Sequence, residues 1–429
     1  MKCKVLFSVA FLLLTWLLWA PLNFAQGQIT SPTTAEIFKQ FSEQVVKIEV
    51  VENGSGAKAS VGSGFFANER GQIVTNYHVV SKLIHSPDRY RIDVSAPSGQ
   101  ITQAAVLGFD VIYDLAVLRT DRSMKGFLSF ETTPVAQGTR LYSLGHPQDL
   151  GLTIVEGTYN GLLQHSLYPK VHFTGSLNPG MSGGPTVTHA GKVVGINVAT
   201  EGEQISFLVP AARAFSLLEK TAKIEKPSTA NFLEEVGRQI QANQARYLDG
   251  MFSNTTPSVT LGPYSLPTKP ADFFRCWADA VRRKELPYVF ITHDCSTDDN
   301  IFVSSEQSSG IVRFYHQLLS TAELNPAQFF TLYSSQVQAG NAAMFGNEEE
   351  VTPFRCQTRN VQSVSGKFKA VLCARQYVKL PGLYDAVLRG ATLGARNVGV
   401  VTTLSLSGAS FENVQLLSRR YMEAIQWRR

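Results

Sequence analysis

Charge is scarce in this 429-residue chain: only 17% of residues are Asp, Glu, Lys or Arg. The 39 basic and 34 acidic residues leave a formal charge of +5. Basic residues do not gather beyond short runs such as Arg282-Arg283-Lys284, which read as solvated surface, and this excludes an electrostatic case for nucleic acid. The uncharged apolar stretch Val5 to Ala20 has 16 residues, short of the roughly 20 of a spanning helix. Cysteine is rare. Gaps of 18, 60 and 16 residues separate Cys276, Cys295, Cys356 and Cys373, without the close pairs that a zinc site needs. No metal and no cofactor are expected. What is present is ordinary globular material, 44% hydrophobic, long enough for two or three domains and a large core.

Lys2 and Lys4 precede the Val5–Ala20 stretch, Pro21 breaks it, and Ala25 offers a small residue for cleavage. Residues 1–25 therefore read as a secretory signal, with an uncleaved anchor as the alternative and the only expected route to a membrane. The expected location is periplasmic or secreted. Export makes the cysteines interpretable: four remain after the signal, and an even number in an oxidising compartment suggests two disulfides. Three pairings are open, and the local ones, Cys276–Cys295 and Cys356–Cys373, are favoured.

The chain divides near residue 225. Residues 29–224 show a helical start over Thr33–Gln44, then short strands separated by Gly, Asn and Pro, and a closing helix over Ala211–Thr221. Frequent short strands with regular turns suggest a barrel or sandwich. Residues 225–255 read as a linker and a helix, with Phe232, Val236, Ile240 and Tyr247 on one face. Residues 256–429 mix strands and helices, an α+β domain. Phe274-Arg275-Cys276 recurs there as Phe354-Arg355-Cys356, a faint sign of duplication.

Three separated segments carry chemistry: Thr75-Asn76-Tyr77-His78, Tyr113-Asp114-Leu115-Ala116-Val117-Leu118, and Asn178-Pro179-Gly180-Met181-Ser182-Gly183-Gly184-Pro185. A hydroxyl is a poor nucleophile at neutral pH. It needs an imidazole to take its proton, and the imidazole needs a carboxylate to fix its tautomer and steady its charge. The order His, Asp, Ser is that of chymotrypsin, not of subtilisin or the α/β-hydrolases, and there is no Gly-x-Ser-x-Gly elbow. The glycines around Ser182 allow the Gly180 and Ser182 amides to converge on an oxyanion. Asp110 is the rival acid and His85 the rival base. Asn76, Asn178 and Asn197 read as hydrogen bonders that support loops.

These segments, with Val61-Gly62-Ser63-Gly64-Phe65-Phe66, Leu144-Gly145-His146-Pro147 and Val194-Gly195-Ile196-Asn197, occur in the order and at intervals similar to those of a known family. Residues 34–212 resemble a trypsin-fold serine protease of the HtrA (DegP-like) type. The resemblance implies a chymotrypsin-like double β-barrel, with His78, Asp114 and Ser182 as a triad in the cleft and Gly180 and Ser182 as the oxyanion hole. It selects Asp114 over Asp110, because the acid stands immediately before Leu-Ala-Val-Leu. By the same resemblance Ser176 lies at the base of the S1 pocket, with Leu177, Ile196 and Val198 as walls. None is acidic, so a buried cation would lack a partner, and small or medium apolar P1 residues are expected.

Two departures stand out. Digestive relatives place an Asp before the nucleophile to pair with a new N-terminus. Here Met181 cannot make that pair, and HtrA-type members usually carry Asn. Such members also usually carry PDZ domains, whereas residues 230–429 show no recognisable carboxylate-binding loop. The expected function is an exported serine endopeptidase acting on protein or peptide substrates, with a homo-oligomer left open. The alternative is a non-catalytic binding module on a protease scaffold.

Overall fold

The computed structural model describes residues 32–427 apart from 122–125, 201–203, 226–228, 249–250, 252–256, 283, 298, 339–343, 345 and 364–365. The expected signal, residues 1–25, lies outside the described residues.

The chain enters through α1 (Thr34–Phe41). Thr33 caps it and Glu36 returns the bond to the Thr33 amide, while Ile37 and Phe41, four apart, bury on one face. A first closed antiparallel barrel follows, built from β1 (Val45–Glu52), β2 (Lys58–Phe66), β3 (Gln72–Thr75), β4 (Tyr90–Ser95), β5 (Ile101–Asp110) and β6 (Leu115–Thr120), with α2 (Tyr77–His85) between β3 and β4. The second barrel comprises β7 (Arg140–Gly145), β8 (Thr153–Leu162), β9 (Val171–Phe173), β10 (Pro185–Val187), β11 (Val193–Thr200) and β12 (Ser206–Pro210). The strand order is β1-β2-β3-β6-β5-β4 in one and β10-β11-β12-β9-β8-β7 in the other. Closure removes every sheet edge. Sequence patterning marks β1–β4, β6, β7, β11 and β12 but not β5, β8, β9 or β10: β5 and β8 interleave polar and small residues without clean alternation, and β9 and β10 are three residues each.

Helix α3 (Ala211–Thr221) follows β12 and packs against strands of both barrels, and α4 (Phe232–Leu248) leads onward. Phe232, Val236 and Ile240 pack into the protease-side core, whereas Tyr247 and Leu248 join the core of the C-terminal half. Gln239 accepts from the Val111 amide at 2.8 Å and donates to the Phe109 carbonyl at 3.0 Å. Gln244 donates to the Gly408 carbonyl at 2.7 Å. One helix is thus bonded to both halves.

The C-terminal half contains β13 (Ser258–Leu261), β14 (Tyr264–Pro267), β15 (Phe274–Val281), β16 (Val289–Thr297), β17 (Ile301–Ser304), β18 (Gln307–Ser309), β19 (Val312–Ser320), α5 (Pro326–Gln338), β20 (Arg355–Ser363), β21 (Gly366–Gln376), β22 (Leu383–Thr392), β23 (Val398–Ser410), α6 (Phe411–Glu423) and β24 (Gln426–Trp427). Seven of these strands form an antiparallel sheet in the order β15-β16-β19-β23-β22-β21-β20. Its two edge strands carry the recurring Phe-Arg-Cys segments. Cys276 is bonded to Cys295 on the neighbouring strand, and Cys356 to Cys373. Strands β17 and β18 form a separate two-stranded sheet. The architecture is a double barrel followed by a disulfide-containing α+β part.

Candidate active site

Strand β3 ends in Thr75, and α2 begins two residues later. This turn places His78 in the first helical turn, half-buried. Its Nδ1 lies 2.6 Å from Asp114 Oδ2, and its backbone amide donates to Asp114 Oδ1 at 2.8 Å. Asn76, fully buried, donates from Nδ2 to the Asp114 carbonyl at 2.7 Å. Asp114 sits at φ 53, a left-handed conformation rare outside glycine. Asp110 builds the turn that presents it, accepting from the amides of Ile112 and Tyr113 at 3.0 Å each. The two candidate acids therefore have different work: Asp110 braces the turn, and Asp114 meets the imidazole. His85 lies elsewhere, with Nε2 3.1 Å from the Tyr77 hydroxyl.

Electrostatics favour a charged His78. Burial by itself lowers the ring's pKa, but the Asp114 charge and hydrogen bond outweigh it and hold the ring above the ordinary histidine value. Burial lowers the pKa of His85, despite the Glu350 charge, and raises that of Asp110, despite its two amide bonds.

Ser182 lies in the turn before β10, half-buried. Strand β2 of the first barrel clamps this turn. The Ser63 amide donates to the Ser182 carbonyl at 2.7 Å, and Ser63 Oγ donates to the Gly180 carbonyl at 2.7 Å while accepting from the His146 amide at 2.8 Å. The Gln148 amide holds the Pro179 carbonyl at 2.9 Å. Asn197, fully buried, donates to the carbonyls of Leu144 and Met181 and accepts from Ser143 and Thr186. Asn178 accepts from the Met181 amide through its carbonyl. Gly180 stands at φ 96 and Gly183 at φ 84. A Cβ on Gly183 would lie 2.2 Å from the Ser63 carbonyl oxygen and 3.0 Å from the Asn76 nitrogen. That close approach sets the serine turn against the segment leading to His78. Among the described residues, the amides of Gly180 and Ser182 and the Ser182 hydroxyl have no hydrogen-bond partner. The structure thus pairs His78 with Asp114 directly and brings the Ser182 turn beside them without a bond from serine to imidazole.

Met181 is fully buried in the second-barrel core with Leu177, Phe173 and Leu141. Apolar packing anchors the turn where an ion pair is absent. Leu177 belongs to that core and Ile196, on β11, to the larger protease-side core shared by both barrels, both buried, whereas Ser176 is exposed and Val198 half-buried. The donor atoms of Cys276, His293 and Cys295 lie within 4.8 Å of one another, but the two sulfurs are bonded to each other. Ser63 and Phe302 escaped sequence reasoning. Ser63 stands within a glycine motif whose side-chain role is unmarked, and Phe302 lies in the other half of the chain, its ring 5.8 Å from that of His78.

Two closed six-stranded barrels with a histidine–aspartate pair and a glycine-bound serine turn define a chymotrypsin-like protease domain. Residues 62–196 match the trypsin-like peptidase domain family. The chain is 30% identical over 240 residues to "Serine protease HTRA2, mitochondrial" of Bos taurus, covering 52% of this chain and 49% of that protein. It is 31% identical over 185 residues to a "Probable periplasmic serine endoprotease DegP-like" of Halomonas elongata, covering 41% and 38%. Among solved structures, a serine endoprotease from Yersinia pestis aligns at 28% identity and a TM-score of 0.40, over 46% of this chain and 70% of that one. The chain spans about half the length, or less, of the curated relatives it matches. Residues 62–196 thus form a trypsin-like peptidase domain, and the double-barrel part is similar to serine proteases of the HtrA and DegP-like type.

Proposed function

We propose that this protein is an exported serine endopeptidase that cleaves protein or peptide substrates through Ser182, His78 and Asp114. One observation carries the reading: the short His78–Asp114 pair beside a glycine-bound serine turn that leaves two amides free. His78 Nε2 takes the Ser182 proton as Oγ attacks the peptide carbonyl. The Gly180 and Ser182 amides hold the oxyanion. His78 then protonates the leaving amine, and water repeats the sequence to release the acyl group. The absent serine–imidazole bond fits a site that tightens when substrate binds. It is also the observation that favours the second reading, a non-catalytic binder on a protease scaffold.

The working units are residues 29–224 and 256–429, joined by 225–255. Export is supported by the two disulfides and by relatives whose names call them periplasmic. Among the described residues no helix is long and apolar enough to cross a membrane. The absence of an acidic group at Ser176, Leu177, Ile196 and Val198 supports cleavage after small or medium apolar residues, with Val or Leu favoured.

Labelling with a fluorophosphonate, followed by mass spectrometry of a digested denatured protein, tests both points. The wild type should label at Ser182 and Ser182→Ala should not, with peptide ends mapping to apolar P1 residues. An unlabelled wild type, or equal labelling of Ser182→Ala, favours the binder. A basic P1 profile rejects the pocket assignment.

A further inference from the structure

We propose that Phe302, in the C-terminal half, is a positioning residue for His78, so that the active site is completed by a hairpin outside the protease domain. This rests on the endopeptidase reading above.

The Phe302 ring lies 5.8 Å from that of His78 at an interplanar angle of 67°, and 6.3 Å from that of Tyr77 at 69°. Both contacts are edge-on, an arrangement that attracts through the ring quadrupoles. Phe302 thus meets two consecutive residues in the first turn of α2. Its neighbours in β17, Ile301 and Val303, are buried in the protease-side core. Phe302, between them, is half-buried and packs against the margin of the same core, beside Tyr77.

The segment is pinned at both ends. The Tyr77 hydroxyl donates to the Val303 carbonyl at 2.9 Å. Asp299, two residues before the strand and 6% exposed, accepts from Lys170 Nζ at 2.8 Å, the Leu167 amide at 2.8 Å and Ser166 Oγ at 2.7 Å. Those three donors belong to the β8–β9 connection of the second barrel. The hairpin is therefore fastened to both barrels, and Phe302 is held rather than merely resting on the surface.

The His78 ring needs such a wall. Its Nδ1 is tied to Asp114, while its Nε2 has no hydrogen-bond partner among the described residues. An imidazole bonded at one nitrogen can swing about its side-chain torsions and lose the alignment that transfer from Ser182 requires. Phe302 occupies space into which it would swing. Catalysis that depends on alignment loses about 10²-fold for misplacements near 1 Å.

The test uses the full chain with Phe302→Ala, Phe302→Leu and Phe302→Tyr. It reads kcat and KM on a quenched peptide, the rate of Ser182 labelling by a small fluorophosphonate, and the thermal unfolding midpoint. Phe302→Ala should lower kcat about 10- to 100-fold and slow labelling by a similar factor, with KM within about threefold. Phe302→Tyr should restore both rates to within about threefold of wild type. Should Phe302→Ala fail to fold, Phe302→Leu decides, with loss of about tenfold in kcat expected. An unchanged kcat and labelling rate overturns the proposal. So does a rise in KM alone, which would make Phe302 a substrate wall, and so does a gain in kcat, which would make the hairpin a plug. A wild type that does not label rejects the endopeptidase reading itself and this inference with it. A wild type that labels while the variants match it rejects only the role of Phe302.

Discussion

His78 is subject to two opposing influences. Burial disfavours its charged form, and Asp114, 2.6 Å away, favours it more strongly. In the proposed mechanism His78 is a general base and must be neutral to act, so activity should fall as the ring protonates. Because the net shift is upward, the acid limb of kcat/KM should have its midpoint above the ordinary histidine value of about 6.5. A pH–rate profile checks this, and a midpoint below that value would contradict the pairing. The same shift links to folding. The unfolded ring has the lower pKa, so the pair's protonation-linked stabilisation is full below that value and is lost as pH rises through the folded value. Asp114 pays a local cost for its place, since a left-handed backbone at a side chain with Cβ stores strain that the bonds from Asn76 and the His78 amide offset.

At the scale of elements, the serine turn is held by strand β2 of the opposite barrel. Gly183 shows how close that contact is. Its φ of 84 disfavours any other residue, and a Cβ would collide with the backbone carbonyl of Ser63 at 2.2 Å, which cannot swing aside as a side chain could. Gly183→Ala should destabilise the protein by on the order of 3 kcal/mol and abolish Ser182 labelling. Thermal or urea unfolding measures the first effect; a cost under about 1 kcal/mol would mean that the turn relaxes freely. Part of this element was legible beforehand. The glycines flanking Ser182 announced a sharp turn, and Asn197 was read as a loop supporter, which its four bonds bear out. The fixing of Met181 was not legible, because a methionine in a loop gives no sign of which core will receive it.

The two halves of the molecule are bridged by α4 and by the β17–β18 hairpin, both of which bury side chains in the protease-side core. In the C-terminal half, each disulfide ties an edge strand of the seven-stranded sheet to its neighbour, across sequence separations of 19 and 17. Loops of that size, closed in the unfolded chain, imply about 2–4 kcal/mol of stabilisation per bridge. Reduction should lower the unfolding temperature of the C-terminal half. Calorimetry with and without dithiothreitol reads the shift, and an unmoved transition would show that the sheet edges hold without their staples.

The double barrel, the His78–Asp114 pairing and the local cysteine pairing could be read along the chain, because each depends on short segments whose order and flanking residues are constrained by backbone geometry. Tertiary structure alone decided that Asp110 braces the turn that presents Asp114, that Ser63 clamps the Ser182 turn, and that Phe302 reaches His78 from more than two hundred residues away. Those contacts depend on how separately formed surfaces meet, and no local pattern of residues encodes which surface a side chain will find.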